Sequence, residues 1–270
     1  MKVLCRALQV STSGYYAWGQ RPESAHDIED MRLGVLIGES HRLSRGIYGS
    51  PRVHADLVAQ GVRVSRKRVV RVMRELGLRG RSRRSYVRTT DSDHGLPTAE
   101  NLLNRDFTAS KPNERWVGDV TYLRTPGGWL YLAVILDLYS RMVVGWALSA
   151  ANDRALAIDA LNQALHRRRP DVGLLHHTDQ GSPYASEDYQ ALLKKAGITC
   201  SMSRRGNCHD NAAMESWNAT VKSELGESFA GASDASAKLF DYIEVFYNQR
   251  RRHSALDNVS PADFERAAAA

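Results

Sequence analysis

After residue 113 the order of strand-like and helix-like segments limits the fold more than any other feature of the chain. Residues 113–125 have the two-residue period of a β-strand, and turns then separate two further β-prone runs, 129–138 and 142–148. Short strands joined in this way form antiparallel neighbours. The pattern therefore predicts a three-stranded antiparallel meander.

The elements that follow alternate between helix and strand. Two helices are predicted, the first capped by Asn152 or Asp153 and the second ending before Gly197, and each is followed by a short strand. A third helix carries Glu215. The expected bounds are 153–168 and 186–196 for the helices, and 172–178 and 198–203 for the strands. The order β-β-β-α-β-α-β-α predicts an α/β fold, in which a mixed sheet carries helices on its faces.

Three acidic residues stand out within this pattern: Asp119 in the first strand, Asp179 at the end of the fourth, and Glu215 in the third helix. Fifty-nine residues separate the first pair and thirty-five the second. Ligands bind beyond the carboxyl ends of strands in open α/β sheets, and Mg²⁺ takes a few carboxylates and leaves positions for water and phosphate. The three acids therefore predict a magnesium pocket. His176 and His177 are interpreted as hydrogen-bonding groups of the strand end.

Polar residues near Glu215 recur at helical spacing. Asn211, Glu215, Asn218 and Lys222 share one stripe of a helix, because residues three and four apart are neighbours on its surface. The adjacent apolar stripe would seat the helix on the sheet; it contains Met214, Trp217, Val221 and Leu225. The polar stripe is then predicted to face a catalytic cleft. The alternative is a solvated face of an ordinary amphipathic helix.

The positive charge of the chain is concentrated in one segment. The net charge is +7, but residues 41–90 hold fourteen Arg and Lys against two acids, which gives +12, so the other residues sum to −5. A charge gathered on a pair of helices indicates nucleic-acid binding. A solubilising surface and a site for acidic lipid are the alternatives.

The same segment has a helix-turn-helix pattern. Ser50 is predicted to cap the first helix, with Pro51 in its first turn, and Ser65 to cap the second. Gly61 and Gly77 end them. The residues predicted to face inward are Val53, Leu57 and Val58 in the first helix and Val69, Val70, Met73 and Leu76 in the second.

Basic side chains remain for the outer surface of the second helix, namely Arg66, Lys67, Arg68, Arg71 and Arg74. Such a helix can enter a major groove, where Arg reads guanine edges or phosphates. A helical hairpin with solvated charges is the alternative. Arg204 and Arg205 are predicted to lie in a mobile basic loop that contacts DNA beside the active site.

The predicted organisation has five parts. They are an N-terminal helical segment (1–40), the helix-turn-helix domain (41–90), a basic and polar linker (91–112), the catalytic core (113–226) and a C-terminal helical extension (227–270). In the extension, 237–247 is predicted to be helical and Ser260 to cap a further helix, while Arg250–Arg252 either hold phosphate or form a solvated helix end.

The chain has no membrane-associated pattern. No apolar run reaches the roughly 20 residues that a membrane span needs, and the N-terminal residues lack the apolar stretch of a signal peptide. Three cysteines without a CxxC pair predict reduced thiols and no structural zinc. A bacterial cytosolic or nucleoid protein is expected.

Taken together and in order, several motifs resemble the DDE transposases of the insertion sequence 3 family, second reading frame product. The motifs run nearly end to end: Gly46-Ile-Tyr-Gly49, Trp116…Asp119-Val-Thr-Tyr122, Asp179-Gln-Gly-Ser-Pro-Tyr184, Gly206-Asn-Cys-His-Asp-Asn211, Glu215, Lys222, Phe246-Tyr-Asn248, Arg252-His253-Ser254 and Ser260-Pro261. The resemblance implies a ribonuclease H-like core of the retroviral integrase type. It also implies that Asp119, Asp179 and Glu215 bind metal and that Lys222 contacts DNA.

The chemistry implied by the resemblance is DNA cleavage followed by strand transfer. Two Mg²⁺ ions, for which Mn²⁺ can substitute, would stabilise the attacking and leaving oxygens of an in-line displacement. The implied partners are transposon ends and target DNA, further copies of the chain, and the upstream-frame product of the same element. A nuclease that cuts without joining and an inactive DNA-binding copy are the competing hypotheses.

Overall fold

The structure, a computed structural model, describes residues 1–81, 98–204 and 207–269, without the side chain of residue 208. The chain divides into two compact units, Met1–Gly80 and Arg81–Ala270. Across the described ranges, no helix is long and apolar enough to cross a bilayer.

The first unit is helical throughout. Its helices are α1 (Lys2–Ala7), α2 (Thr12–Gly19), α3 (Ala25–Leu43), α4 (Ser50–Ala59) and α5 (Arg66–Glu75). α3 packs against both α4 and α5, so the predicted helix pair is completed by a third helix. The domain boundary predicted at residue 40 would cut through α3.

The starts of α4 and α5 follow from local capping. The Ser65 hydroxyl accepts a hydrogen bond from the Arg68 backbone N–H at 3.2 Å, which confirms the predicted cap of α5. Ser50 is not the cap of α4. Gly49 takes that position, because its carbonyl accepts the first helical hydrogen bonds, including that of the Val53 N–H.

The interior of this helical unit differs in part from the predicted one. α3 packs against α4 and α5, and only one stripe of α5 is buried. That stripe is formed by Val69, Val72 and Met73, which are three and four residues apart. Val58, Val70 and Leu76 were predicted to face inward and are exposed. The buried apolar residues of α3, α4 and α5 are Leu33, Ile37, Val53, Leu57, Val69, Val72 and Met73.

The second unit contains a five-stranded sheet in the order β3-β2-β1-β4-β5. The strands are β1 (Arg115–Thr125), β2 (Gly128–Asp137), β3 (Val143–Ser149), β4 (Leu175–Thr178) and β5 (Thr199–Met202). β1, β2 and β3 pair antiparallel, while β4 pairs parallel with β1 and with β5. This confirms the meander and the mixed sheet, although β4 begins three residues later than predicted.

Helices cover the sheet. They are α6 (Arg154–Arg168), α7 (Ser182–Ala185), α8 (Glu187–Lys195), α9 (Ala212–Leu225), α10 (Ala232–Phe240), which continues as a π-helix (Asp241–Tyr247), and α11 (Pro261–Ala269); 3₁₀ turns occupy Cys208–Asn211 and Ser254–Leu256. Asp153 caps α6 as predicted, and its carboxylate accepts from the Leu156 N–H at 3.1 Å. Ser260 caps α11 in the same way, at 3.1 Å from the Asp263 N–H. The four-residue α7 was not predicted.

Two layers of helices pack on the sheet. One core joins β1, β2 and β3 to α6, α7 and α8 and contains Trp116, Leu161 and Tyr189, which are all fully buried. α9 packs against β1, and its Trp217 contacts Tyr247 edge-on with ring centroids 6.1 Å apart. The C-terminal extension is therefore part of the folded unit.

The part of the predicted linker that the structure describes is docked on the core. Leu103 is buried, and the backbone N–H groups of Leu102 and Leu103 donate to the Ser201 hydroxyl at 2.9 and 3.2 Å. Residues 98–112 are therefore not a free tether, because burial and backbone hydrogen bonds hold them. The remainder of the predicted linker lies outside the described residues.

Close packing of β3 on α6 requires glycine at position 145. A Cβ atom built there would lie 2.2 Å from the Ala160 carbonyl oxygen and 2.8 Å from the Ala164 Cβ. We expect Gly145→Ala to lower the free energy of unfolding by about 2 kcal/mol or more, since overpacking a filled core costs roughly that much. Urea denaturation followed by tryptophan fluorescence measures it. Gly127→Ala, whose new methyl would have 3.9 Å of clearance, serves as the control; equal stability of the two variants would contradict the prediction.

Candidate active site

Parallel pairing of β1 with β4 brings two of the predicted acids together. The last paired residues are Val117 on β1 and His177 on β4. Two residues further along the chain are Asp119, which is still on β1, and Asp179, which lies one residue beyond the end of β4. Neighbouring strands lie about 4.8 Å apart. The two acids therefore lie close together, and the charge of Asp179 acts on Asp119, although fifty-nine residues separate them in the chain.

α9 supplies the third acid and fixes the first. Its Asn218 side chain donates a hydrogen bond to the Asp119 carboxylate at 2.6 Å. Glu215 lies one turn earlier on the same helix and is only partly buried. The apolar stripe predicted for α9 is buried at Met214, Trp217 and Val221, so the polar stripe faces Asp119 as the spacing predicted.

Asp119 lies in the electrostatic field of both other acids. Burial raises the pKa of Asp119 well above its usual range, the charge of Asp179 raises it further, and Glu215 adds a smaller contribution. The hydrogen bond from Asn218 opposes the shift. The ionised form of Asp119 is thus destabilised by the neighbouring anions, and a bound cation would stabilise it.

The donor set suits a hard divalent cation. Carboxylate oxygens are the ligands that Mg²⁺ takes from proteins, usually one or two of them, with water and substrate phosphate completing the shell. Asp119 and Asp179 meet that requirement, and the unfavourable charge at Asp119 is what a cation would relieve. Within the described ranges, no three His, Cys, Asp or Glu side chains are placed so that together they could hold a metal ion, so the predicted pocket of three acids is not closed in this structure. Glu215 acts on Asp119 through its charge.

A tight turn holds Asp179. Its carboxylate accepts from the Gly181 backbone N–H at 3.0 Å, an arrangement typical of Asp in turns. A Cβ atom at residue 181 would lie 2.9 Å from the same oxygen, so a side chain there would push the Asp179 carboxylate out of this position. Beyond it stands the buried Tyr184, whose pKa is raised mainly by burial and also by Tyr189, Asp119 and Asp179. Its phenol therefore stays neutral beside the acids.

The two histidines before Asp179 are hydrogen-bonded inside the fold. His176 lies 2.8 Å from the Tyr189 hydroxyl, and His177 bridges the hydroxyls of Ser201 and Ser203 at 2.8 and 3.0 Å. Burial lowers the pKa of His176 to about 3 and that of His177 to about 4, so both rings are neutral. The interpretation of both as hydrogen-bonding groups is confirmed.

Lys222 lies on the same side of α9 as Asn218. Its ammonium is 4.5 Å from the centre of the Tyr122 ring, and the side chain is buried. Burial lowers the pKa of Lys222, while the charges of Glu227 and Asp119 raise it. The lysine is therefore in the electrostatic field of Asp119.

The loop before α9 was predicted to be mobile, with Arg204 available to DNA. In the structure Arg204 is instead bound to Asp210. The Arg204 side chain forms two 2.8 Å hydrogen bonds with Asp210, which is fully buried and also binds Arg105 and Asn101 at 2.8 and 2.9 Å. A buried carboxylate has to be paired, and Arg204 supplies that pair while its own side chain stays about half exposed. Arg205 lies outside the described residues. No sequence signal distinguished Asp210 from the surrounding polar residues.

A second buried ion pair joins the C-terminal extension to α9. Arg251 donates to the Glu224 carboxylate at 2.6 and 2.7 Å, and the Tyr242 hydroxyl donates to it at 2.7 Å. Arg251 is buried, so this member of the Arg250–Arg252 run neither holds phosphate nor forms a solvated helix end. Glu224 lies two residues beyond Lys222, and the pair therefore fixes the end of the catalytic helix.

In the helical unit, acids of α3 hold two of the five predicted DNA-contacting residues. Arg68 binds Asp30 and Glu29 at 2.7 and 3.0 Å, and Arg71 binds Asp30 at 2.5 Å. Hydrogen bonds from these arginines lower the pKa of Asp30 to about 2. Tertiary pairing thus removes Arg68 from the outer surface. The predicted residues that remain exposed, with no ion pair among the described residues, are Arg66, Lys67 and Arg74.

Comparison with protein families agrees with this arrangement. The family "Integrase core domain" matches residues 109–208, a second family with the same description matches 196–261, and "HTH-like domain" matches 29–86. The last match begins within α3, and α3 is the helix that packs against both α4 and α5.

Relatives match over nearly the whole chain. The "Transposase InsF for insertion sequence IS3A" of Escherichia coli (strain K12) is 44% identical over 270 residues, covering 98% of this chain and 93% of that protein. The "Insertion element IS600 uncharacterized 31 kDa protein" of Shigella sonnei is 43% identical, covering 97% of each. Among solved structures, the simian T-cell lymphotropic virus intasome in complex with PP2A regulatory subunit B56 gamma matches with a TM-score of 0.49 at 16% identity, over 85% of this chain and 74% of that chain. The chain belongs to the IS3 family of transposases and is a DDE-type polynucleotidyl transferase, with an HTH-like domain preceding its integrase core.

Proposed function

We propose that Asp119, Asp179 and Glu215 are the metal-binding acids with which this transposase cuts DNA at the ends of its element and joins them to a target. The observation that carries the proposal is the proximity of Asp119 on β1 to Asp179 just beyond the paired strand β4, with the charge of Glu215 also acting on Asp119. Mg²⁺ is the proposed cofactor, as two ions, and Mn²⁺ its substitute.

The side chains around the acids have distinct parts in this scheme. Bound divalent ions would stabilise negative charge on the attacking and leaving oxygens of the phosphodiester. Asn218 holds Asp119 in position through its 2.6 Å hydrogen bond. Lys222, on which the charge of Asp119 acts, is the residue proposed to contact a DNA phosphate near the acids. Cleavage and joining then differ only in the nucleophile, water or a DNA 3′-hydroxyl.

DNA is brought to this site by cationic surface outside it. Exposed Arg66, Lys67 and Arg74 on α5 are the proposed contacts of the helical unit, with phosphates or with guanine edges in a major groove. Assembly of several copies on DNA belongs to the same proposal. The upstream-frame product as a partner and the cytosolic location stay predictions.

Replacing one acid tests the assignment. Asp119→Asn keeps the shape and the hydrogen bond from Asn218 but removes the charge, so we expect cleavage and joining to fall by roughly a thousandfold, since metal charge stabilisation contributes several kcal/mol. A labelled transposon end incubated with plasmid target and Mg²⁺ reports cut and joined products separately. The control is Asp171→Asn at an exposed position. Activity of the Asp119 variant equal to that of the control would reject the site, and cutting without joining by the unmutated protein would favour the nuclease hypothesis.

Thermal unfolding tests metal binding without any DNA. The pKa of Asp119 is raised from its usual 3.8 in the folded state, so the folded protein loses stability as pH rises through that interval and the carboxyl ionises. At neutral pH without metal, Asp119→Asn is therefore expected to unfold at a higher temperature than the unmutated protein. Mg²⁺ at a hundredfold excess over its Kd should stabilise the unmutated protein by about 2.7 kcal/mol and leave the variant unchanged. A Mg²⁺ effect of equal size in both proteins would count against the proposed ligand.

The salt dependence of DNA binding tests the role of α5. Each phosphate contact that is removed lowers the slope of log K against log salt by about one, so the double variant Arg66→Ala with Lys67→Ala should lower it by about two. Fluorescence anisotropy of duplex DNA at several salt concentrations gives the slope. Arg32→Ala, at an exposed position of α3, is the control and should leave the slope unchanged. An unaltered slope in the double variant would exclude these residues as contacts.

A further inference from the structure

We infer that the end of the β1–β2 hairpin is a binding surface for unpaired nucleotides of the DNA in the active site. The surface, called the hairpin platform here, consists of Tyr122, Arg124 and Trp129. The inference rests on the proposed function, because that function brings DNA to the neighbouring acids. It goes further by assigning a place on the protein to single-stranded bases.

The hairpin platform is a continuous arrangement of aromatic rings and cations. The rings of Tyr122 and Trp129 meet edge-on, with centroids 5.1 Å apart and planes at 87°. The Arg124 guanidinium lies 5.4 Å from the centre of the Trp129 ring. At the other end, the Lys222 ammonium lies 4.5 Å from the centre of the Tyr122 ring. Interleaved aromatic and basic side chains of this kind track single-stranded nucleic acid by stacking on bases and attracting phosphates.

The exposure of Trp129 separates it from structural tryptophans. Its side chain is 47% exposed, whereas Trp116 and Trp217 in the same unit are buried and hold the helices to the sheet. Arg124 beside it is also exposed. A large aromatic residue left in water at a hairpin end contributes little to the core, and its open ring is available to a flat partner.

The position of the platform fits a DNA strand that passes through the acidic site. β1 runs from Asp119 through Tyr122 to Arg124, and Trp129 is the register partner of Arg124 on β2. At about 3.3 Å per residue, Tyr122 and Arg124 lie roughly 10 and 17 Å along the strand from Asp119, and their side chains point to the other face of the sheet. Lys222 joins the two places, because its ammonium lies beside the Tyr122 ring and the charge of Asp119 acts on it. Successive phosphates of one strand are at least about 3.4 Å apart, so the platform would meet bases up to about five nucleotides from the scissile phosphate.

The exposed ring and the cation beside it together favour a nucleic acid over a protein surface. The acids whose charges act on Lys222 are Glu227, whose carbonyl also accepts from the Arg124 backbone N–H at 2.8 Å, and Asp119. The exposed Arg124 guanidinium beside Trp129 suits a phosphate. The exposed indole suits a base only when that base is unstacked, because in a duplex the ring faces are covered by the neighbouring pairs.

The experiment uses the full chain carrying Asp119→Asn, so that DNA is bound and not cut. The DNA is a transposon end with an unpaired strand and 2-aminopurine placed three, four or five nucleotides from the scissile phosphate. We expect binding to change the fluorescence of at least one of these probes through stacking. Adding Trp129→Ala should abolish that change and weaken binding about tenfold, since stacking on one aromatic side chain is worth that much.

Further variants separate stacking from apolar bulk and from misfolding. Trp129→Phe keeps a ring and should retain most of the signal, whereas Trp129→Leu keeps bulk without a ring and should behave like Trp129→Ala. Phe240→Ala, at another exposed aromatic position of the same unit, is the matched control and should leave both readouts unchanged. A Leu variant that binds and signals like the unmutated surface would overturn the inference.

Two more outcomes are decisive. Unchanged DNA binding combined with an altered oligomeric state in Trp129→Ala would show that the platform meets protein, and would overturn the inference while the proposed function stands. Absence of DNA binding in every variant, including Asp119→Asn alone, would overturn the proposed function and the inference together. Loss of signal in the Ala and Leu variants with retention in the Phe and Phe240 variants would support it.

Discussion

The repulsion between two carboxylates that the fold holds close together is the constraint on which the site depends. The pairing of β1 with β4 ends two residues before Asp119 and Asp179, and the turn to Gly181 holds the second of them. Their proximity, together with burial, raises the pKa of Asp119 and leaves a local deficit of positive charge. Such a deficit is tolerated because the rest of the unit is well packed around Trp116 and Leu161, and because a cation can neutralise it. The electrostatic repulsion that destabilises the metal-free protein is therefore also what favours the binding of a cation.

Two buried carboxylates hold the catalytic helix against that pair of strands. Asp210 gathers Arg204, Arg105 and Asn101 just before α9 begins, and Glu224 receives Arg251 at its last turn. Losing one member of a buried pair is costly because it leaves a charge unsatisfied. The helix is therefore fixed at both ends by partners from distant parts of the chain, and the side chains between them face the acids.

Local sequence patterns were enough to predict most helices and strands. The ion pairs and hydrogen bonds between residues distant in the chain could not be predicted from them. The first strand and three helix starts depend only on residues close together in the chain, so they were predictable. They are the alternating residues 115–125 and the helix caps Ser65, Asp153 and Ser260. The α9 stripe followed from spacing alone. Arg68 and Arg204 were predicted to be DNA contacts because no sequence rule shows that Asp30 and Asp210 pair with them in space. Asn218 was found on the right stripe, but its bond to Asp119 required the packing of α9 on β1.

The pair between Glu224 and Arg251 also links α9 to a late part of the chain. The three acids all lie at or before residue 215, whereas the arginine that pairs with Glu224 comes thirty-six residues after Glu215. A chain that ended before Arg251 would carry every acid and leave the buried Glu224 carboxylate without its arginine, which is costly. The C-terminal extension is therefore a structural support of the helix that carries Glu215.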